Sequence, residues 1–173
     1  MIGRERVVVR PPNPGDFGWI IERNAALYAE EYDWDGSYET LVARIVADFM
    51  EQHDPGRERA WIAEADGIRV GCVLCVRKDD EVAQLRLLLV EPRARGLGIG
   101  SLLVDESLRF AGRAGYARII LWTNDVLLDA RRIYERAGFE LVDEEPHHSF
   151  GHDLVGQIWE RSLSGEPPGL RGS

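Results

Sequence analysis

The sequence predicts one mixed α/β domain: a central sheet of about seven strands flanked by four helices. Three observations carry this reading. Segments with strand and helix periodicity follow one another as β-α-α-β-β-β-α-β-α-β-β. Several of the strands are joined by short turns, so a purely parallel, doubly wound sheet does not fit. A chain of 173 residues that is 45% apolar suits one domain with a core of its own.

Residues 5–10 predict the first strand, and Pro11, Pro12, Asn13, Pro14 and Gly15 end it because they cannot continue a sheet. Asp16 then reads as the N-cap of a helix to about residue 29, with Trp19, Ile20, Arg23 and Leu27 at helical spacing. After an acidic, aromatic loop, Ser37 caps a second helix to about residue 53. Leu41, Ile45, Asp48 and Phe49 mark one side of it, with Val42 and Val46 beside them. Strands at 59–65 and 68–77 surround Asp66-Gly67, a strong hairpin signal. A third strand at 81–90 ends at Pro92, and a glycine-rich turn leads into a helix at 98–114. A short buried strand at 119–123 precedes a helix at 126–137, with Ala130, Ile133, Tyr134 and Ala137 on one face and Gly138 as its stop. Strands at 140–145 and 154–162 complete the sheet, joined by a loop at 146–152. Residues 165–173 read as a frayed tail behind a domain at 1–164.

The charge is −9, from 21 basic and 30 acidic side chains. This balance argues against nucleic-acid binding and against a polybasic membrane anchor. Residues 93–136 reverse it, with 8 basic and 5 acidic side chains, and so pose the question of which anion they hold. No stretch reaches the roughly 18 apolar residues of a membrane span, and the start lacks a signal-peptide apolar region, so a cytoplasmic protein is expected. Cys72 and Cys75 are spaced C-x-x-C, but inside a strand they point to opposite faces. Buried, reduced thiols are the expectation.

The most informative segment is the turn after the third central strand. Gly96, Gly98 and Gly100 let backbone N–H groups approach a ligand, and the following helix adds its free donors and positive end beside Arg93 and Arg95. A Walker A loop is excluded by the missing lysine, and the dinucleotide fingerprint by Ser101 and Leu103 at its third-glycine positions. On spacing alone, the glycines either cradle phosphate or merely turn a strand into a helix.

The apolar strand with Val90-x-Pro92, then Arg95-x-x-Gly98-x-Gly100 and an amphipathic helix, resembles the acetyl-CoA-binding motif of the GNAT superfamily of N-acetyltransferases. Ala130, Tyr134, Gly138 and Phe139 are similar to that superfamily's second signature, A-x-x-x-Y-x-x-x-G-F. The likeness covers nearly the whole chain. The segment 146–157 most resembles bacterial GNAT domains that also occur fused behind MarR-type regulators.

The resemblance implies a GNAT fold and acetyl-CoA as co-substrate, with no metal. By the same likeness, backbone groups of Leu88, Leu89 and Val90 face the pantetheine arm. N–H groups across Arg95, Gly96, Leu97, Gly98, Gly100 and Ser101 hold the pyrophosphate, Asn124 faces the cofactor, and Tyr134 protonates the leaving thiolate. Two positions depart from the family pattern. Gln84 stands where relatives often carry Glu, and Leu127 where they often carry Asn. The first removes a common relay for the amine proton, the second a common cofactor contact.

For the acceptor, the family places the connection between its first two helices beside the channel. Here Glu30, Glu31, Tyr32, Asp33 and Trp34 offer carboxylates and aromatic faces to an ammonium group, so a cationic amine is expected. The loop at 146–152 forms the other wall. His147 and His148 are candidates to take the acceptor's proton or to make structural hydrogen bonds. Its three histidines lack metal-ligand spacing. Three function classes stand: an N-acetyltransferase acting on a small-molecule or protein amine by direct attack; the same fold with another donor, such as a longer acyl-CoA or an aminoacyl-tRNA; and a non-catalytic acyl-CoA sensor. A homodimer is compatible with the family.

Overall fold

The computed structural model describes residues 6–163. The expected strand start at residue 5 and the expected tail at 165–173 lie outside the described residues. The elements run β1 (Val7–Arg10), α1 (Asp16–Tyr32), α2 (Gly36–Glu51), β2 (Arg59–Ala65), β3 (Ile68–Arg77), β4 (Val82–Val90), α3 (Ile99–Arg113), β5 (Arg118–Asn124), α4 (Leu128–Arg136), β6 (Glu140–Ser149) and β7 (His152–Ser162). One 3-10 turn at Pro92–Ala94 separates β4 from α3.

The strands form one sheet in the order β1-β2-β3-β4-β5-β7-β6, antiparallel except for β4 and β5. One core lies under α1 and α2, with Ile20, Val42, Val46, Ile62 and Leu74 at its centre. The other lies under α3 and α4, with Leu85, Leu103, Ile119, Leu121 and Tyr134. Strand alternation explains the division. Cys72 belongs to the first core and Cys75 to the second, and both are free and buried, as the strand reading expects.

Two features of β4 position the site. β4 pairs with β5 only from Val82↔Arg118 to Leu85↔Leu121, and beyond that rung the two strands part. β4 also carries a bulge against β3, where the register slips between Cys72 and Leu74. Leu87 sits in it with a left-handed φ of 55°. On the β3 side, a Cβ on Gly71 would lie 2.8 Å from the Leu89 carbonyl oxygen, so glycine is what permits this close approach.

Several expectations are corrected. Asp16 does not cap α1 from outside. Gly15 precedes the helix with φ 94°, and Asp16 is its buried first residue, accepting hydrogen bonds from Arg10 at 2.6 Å, Arg69 at 3.2 Å and the Asn13 N–H at 2.6 Å. The acidic loop is much shorter than expected, because α1 continues to Tyr32 and stops at Asp33, φ 59°. Asp35, not Ser37, caps α2. On α2 the buried stripe is Val42, Val46 and Phe49, while Leu41 stays exposed.

The last loop also shrinks. β6 runs to Ser149, and only Phe150 and Gly151 turn the chain, at φ 58° and 84°. Two consecutive left-handed residues match the twist of a two-residue hairpin. Pro146 fits within β6 because β6 is an edge strand.

Candidate active site

A groove of about 480 Å³ opens where β4 leaves β5. Its floor includes Leu88, Leu89 and Val90, its head the turn and first residues of α3, and its sides α4 and the C-terminal end of α1. A larger cavity of about 670 Å³ lies between β1, β2 and the end of α2, remote from the glycine turn.

The head of the groove is built from backbone donors. Gly96 and Gly98 take left-handed φ values of 83° and 78°, which glycine adopts without steric cost. Gly98 precedes α3, and no side chain caps the helix. The first helical bond there runs from the Leu102 N–H to the Gly98 carbonyl, leaving the amides of Ile99, Gly100 and Ser101 without an intrahelical acceptor. These free donors and the positive helix end favour an anion. Gly100 also sets how closely α3 and α4 approach: a Cβ there would lie 2.5 Å from Ile133 Cδ1.

Of the residues expected to hold the cofactor, Leu88, Leu89, Val90, Arg95, Gly96, Gly98, Gly100 and Ser101 all line this groove. Leu97 and Tyr134 do not line it: Leu97 packs against the α3 core, and Tyr134 is buried within that core. Leu127, where the family pattern has Asn, does line it. The sequence reading missed Tyr28 and Leu27 on α1 and Asp129, Arg132 and Arg136 on α4. The last two stand four residues apart on one helix face, a spacing that would have found them.

Tyr134 is 5% exposed and packs edge-on to Phe139 at 5.9 Å. Burial pushes its phenol well above the ordinary range, so the hydroxyl keeps its proton at any working pH. Among the described residues every fully enclosed side-chain N or O has a hydrogen-bond partner.

Asn124 is engaged elsewhere than the groove: its Oδ1 lies 2.8 Å from His147 Nε2. His147 Nδ1 lies 2.9 Å from Ser149 Oγ. In the neutral tautomer with the proton on Nε2, the ring donates to Asn124 and accepts from the Ser149 hydroxyl. His148 points to the opposite face of β6 and pairs with the exposed Asp153 at 2.8 Å. Only one of the two expected histidines therefore faces Asn124 and Trp122.

The expected acceptor segment is distributed differently from the reading above. Glu31 and Tyr32 line the groove, and Glu31 reaches across it to Arg95 at 2.7 Å. Trp34 is 5% exposed, sealed by Tyr28, Tyr38 and Phe150 with ring centroids 4.8–5.2 Å away, so it offers no open face to a cation. Asp33 accepts through its carbonyl from His152 Nε2 at 2.9 Å, and the Asp35 N–H donates to the Phe150 carbonyl at 3.1 Å. The two expected walls thus touch each other. Glu30 remains exposed at the end of α1.

Both cysteines are unsuited to nucleophilic chemistry. Burial raises the Cys75 thiol to about 12 and the Cys72 thiol further still. No group of three or more His, Cys, Asp or Glu among the described residues has a metal-binding arrangement.

With this geometry in view, comparison with known proteins identifies the family. The acetyltransferase (GNAT) family model matches residues 21–139, from α1 through the end of α4. The chain belongs to the GNAT family. It is 27% identical over 140 residues to an uncharacterised N-acetyltransferase of Schizosaccharomyces pombe, covering 80% of this chain and 83% of that protein. It is 36% identical over 103 residues to the N-acetylaspartate synthetase of Xenopus tropicalis, covering 57% of this chain but only 38% of that longer protein. Among solved structures, yncA of Salmonella typhimurium, determined with its cofactor acetyl-CoA, superposes with a TM-score of 0.73 at 17% identity, covering 93% of this chain and 96% of the other. A GNAT-family acetyltransferase of Staphylococcus aureus Mu50 gives 0.74 at 21% identity, over 91% and 99%. These structures share the GNAT fold, with its seven-stranded mixed sheet and four helices.

Proposed function

We propose that this GNAT protein moves the acetyl group of acetyl-CoA to a primary amine by direct attack, with no acetylated enzyme. The observation that carries the proposal is one continuous groove. It joins the uncapped N-terminus of α3 to the edge of β4 that β5 leaves open. The free amides of Ile99, Gly100 and Ser101 suit the pyrophosphate, and the open backbone of Leu88, Leu89 and Val90 suits the amide-bearing pantetheine arm.

Acetyl-CoA, when bound, supplies the activated thioester. Tyr134, kept protonated by burial, gives its proton to the thiolate that leaves. His147 takes the proton of the attacking amine, with Asn124 fixing its tautomer and Ser149 carrying the proton to Nδ1. This supplies the step that Gln84 cannot perform in place of a glutamate. His148, turned away with Asp153, has no part in it. The buried cysteines support attack without a covalent intermediate.

The same reading takes residues 1–164 as one acetyltransferase unit with a tail at 165–173. It groups the chain with the bacterial GNAT domains also found behind MarR-type regulators, on the strength of residues 146–157. It also expects a cytoplasmic setting and a positively charged acceptor amine. No helix among the described residues is long and apolar enough to cross a membrane. Thiol release from acetyl-CoA across an amine panel tests the proposal, run beside the thermal shift that acetyl-CoA causes alone. Transfer and shift together support it. A shift with no transfer to any amine makes the protein a sensor.

A further inference from the structure

β4 carries an arginine that the proposed acetyl transfer does not use. Arg86 is the first residue of β4 beyond its last rung with β5, Leu85↔Leu121. Leu85 and Leu121 both belong to the core under α3, so Arg86 and Trp122, which follow them, point to the opposite face. Arg86's cross-strand partner Leu74 belongs to the core under α1 and α2 and confirms that side.

Arg86 is half-buried and makes neither a hydrogen bond nor an ion pair with any described residue. Burial lowers its pKa, and the exposed Asp48 on α2, beyond ion-pair distance, partly opposes this. An unpaired guanidinium held partly out of water is costly unless an anion meets it.

The rest of this face has the complementary charge. Trp122 is 55% exposed; it pairs with Ile158, and Ile158 with Asp143. The next row is Asn124, Gly156 and Glu145. Asp143 and Glu145 make no ion pair with a described residue, whereas Glu160, further along, already meets Arg118 at 3.7 Å. His147, over Gly156 and bonded to Asn124, completes the row. One face thus presents a lone cation, two unpaired carboxylates and the proposed base, beside the gap through which the thioester is reached.

We infer that the acceptor is a free amino acid, its carboxylate paired with Arg86 and its ammonium drawn in past Asp143 and Glu145. This rests on the acetyl-transfer reading above. A guanidinium matches a carboxylate through two parallel N–H···O bonds, which no lone amine provides. Arg86 and Leu88 flank the left-handed Leu87 of the β4 bulge, which sets the arginine close to the strand edge proposed to face the thioester. The ammonium loses its proton to His147 and the neutral nitrogen attacks. Arg86 is therefore a specificity-determining residue and takes no part in the bond changes.

The test uses the full chain, acetyl-CoA and a panel of L-amino acids, each beside its carboxamide, with thiol release as the readout. The expected result is a preference for the best amino acid over its carboxamide of roughly 10- to 100-fold in kcat/KM, carried by KM. Arg86→Met brings that ratio towards one, and Arg86→Lys restores part of it. A retained thermal shift with acetyl-CoA shows that each variant folds. Carboxamides used as well as amino acids by the unaltered protein, or an unchanged ratio in Arg86→Met, overturns the inference and leaves acetyl transfer standing. Thiol release with no amine at all sinks the acetyl-transfer reading itself.

Discussion

A phenol serves as a proton donor only while it holds its proton, and burial among Phe139 and the α3 core gives Tyr134 that property. The sign is favourable: a raised pKa means no loss of the acid form as pH climbs through the neutral and mildly alkaline range. Tyr134 was legible in the sequence because A-x-x-x-Y-x-x-x-G-F also encodes a helix face and its stop. The bond of Asn124 to His147 was not legible, since it depends on the pairing of β6 with β7 and of β7 with β5. Arg132 and Arg136 were missed because charges on an exposed helix usually mean only solvation. Gly100 gives a prediction at this scale. Gly100→Ala puts a methyl within 2.5 Å of Ile133 Cδ1. The variant is expected to lose about 1–3 kcal/mol of stability and to weaken acetyl-CoA binding, as read by denaturant melts and calorimetry. Binding as tight as in the unaltered protein would remove Gly100 from the α3–α4 cradle.

The glycine turn and α1 are joined by two ion pairs that no local pattern announces. Arg23 clasps Glu91 with bonds of 2.5 and 3.0 Å, and Glu31 holds Arg95 at 2.7 Å across the groove. The first anchors the end of β4. The second sets a carboxylate against an arginine of the groove, in competition with any phosphate bound as proposed. Glu31→Gln is therefore expected to tighten acetyl-CoA binding by roughly 2- to 5-fold, the worth of a partly exposed ion pair. Weaker binding measured by calorimetry would show that Glu31 supports the site and does not compete for it. The strands and helices themselves were readable to within a few residues, because Asp66-Gly67, Pro92 and Gly138 punctuate them. The β4 bulge was not, since a left-handed Leu87 has no composition signal. Nor was the hairpin turn: Phe150 accepts a left-handed φ because its ring packs against Trp34 and Tyr38, far away in sequence.

Across the molecule, charge divides into a structural and a functional share. Asp16 is the structural case. Its burial alone would raise its pKa, but Arg10, the Asn13 N–H and Arg69 outweigh that and hold it at about 2. A depressed carboxylate contributes stability that is present above its ordinary value near 4 and is lost as pH falls towards 2. That contribution is about 2 kcal/mol at neutral pH. Asp16→Asn is expected to lower stability by a similar amount at pH 7 and to show a flatter stability profile between pH 4 and 2. Equal pH profiles for both proteins would remove Asp16 from the acid response. The other share is the basic segment 93–136, which supplies Arg95, Arg132 and Arg136 to the groove, while the uncapped amides at the start of α3 stand at its head. The acidic remainder reads less simply than the net charge implied. Much of the segment after α1 is engaged in caps and contacts, and the carboxylates left beside the gap are Asp143 and Glu145. The fold and most of the residues that line the groove were thus legible from motifs, while the row of Asn124, His147, Asp143 and Glu145 emerged only when distant strands were placed together. The most direct test of proton donation by Tyr134 is the rate of thiol release by Tyr134→Phe at saturating acetyl-CoA from pH 6 to 9. A fall in kcat of roughly 100-fold, with little change in KM for acetyl-CoA, is the expected result; an unchanged kcat over that range contradicts it.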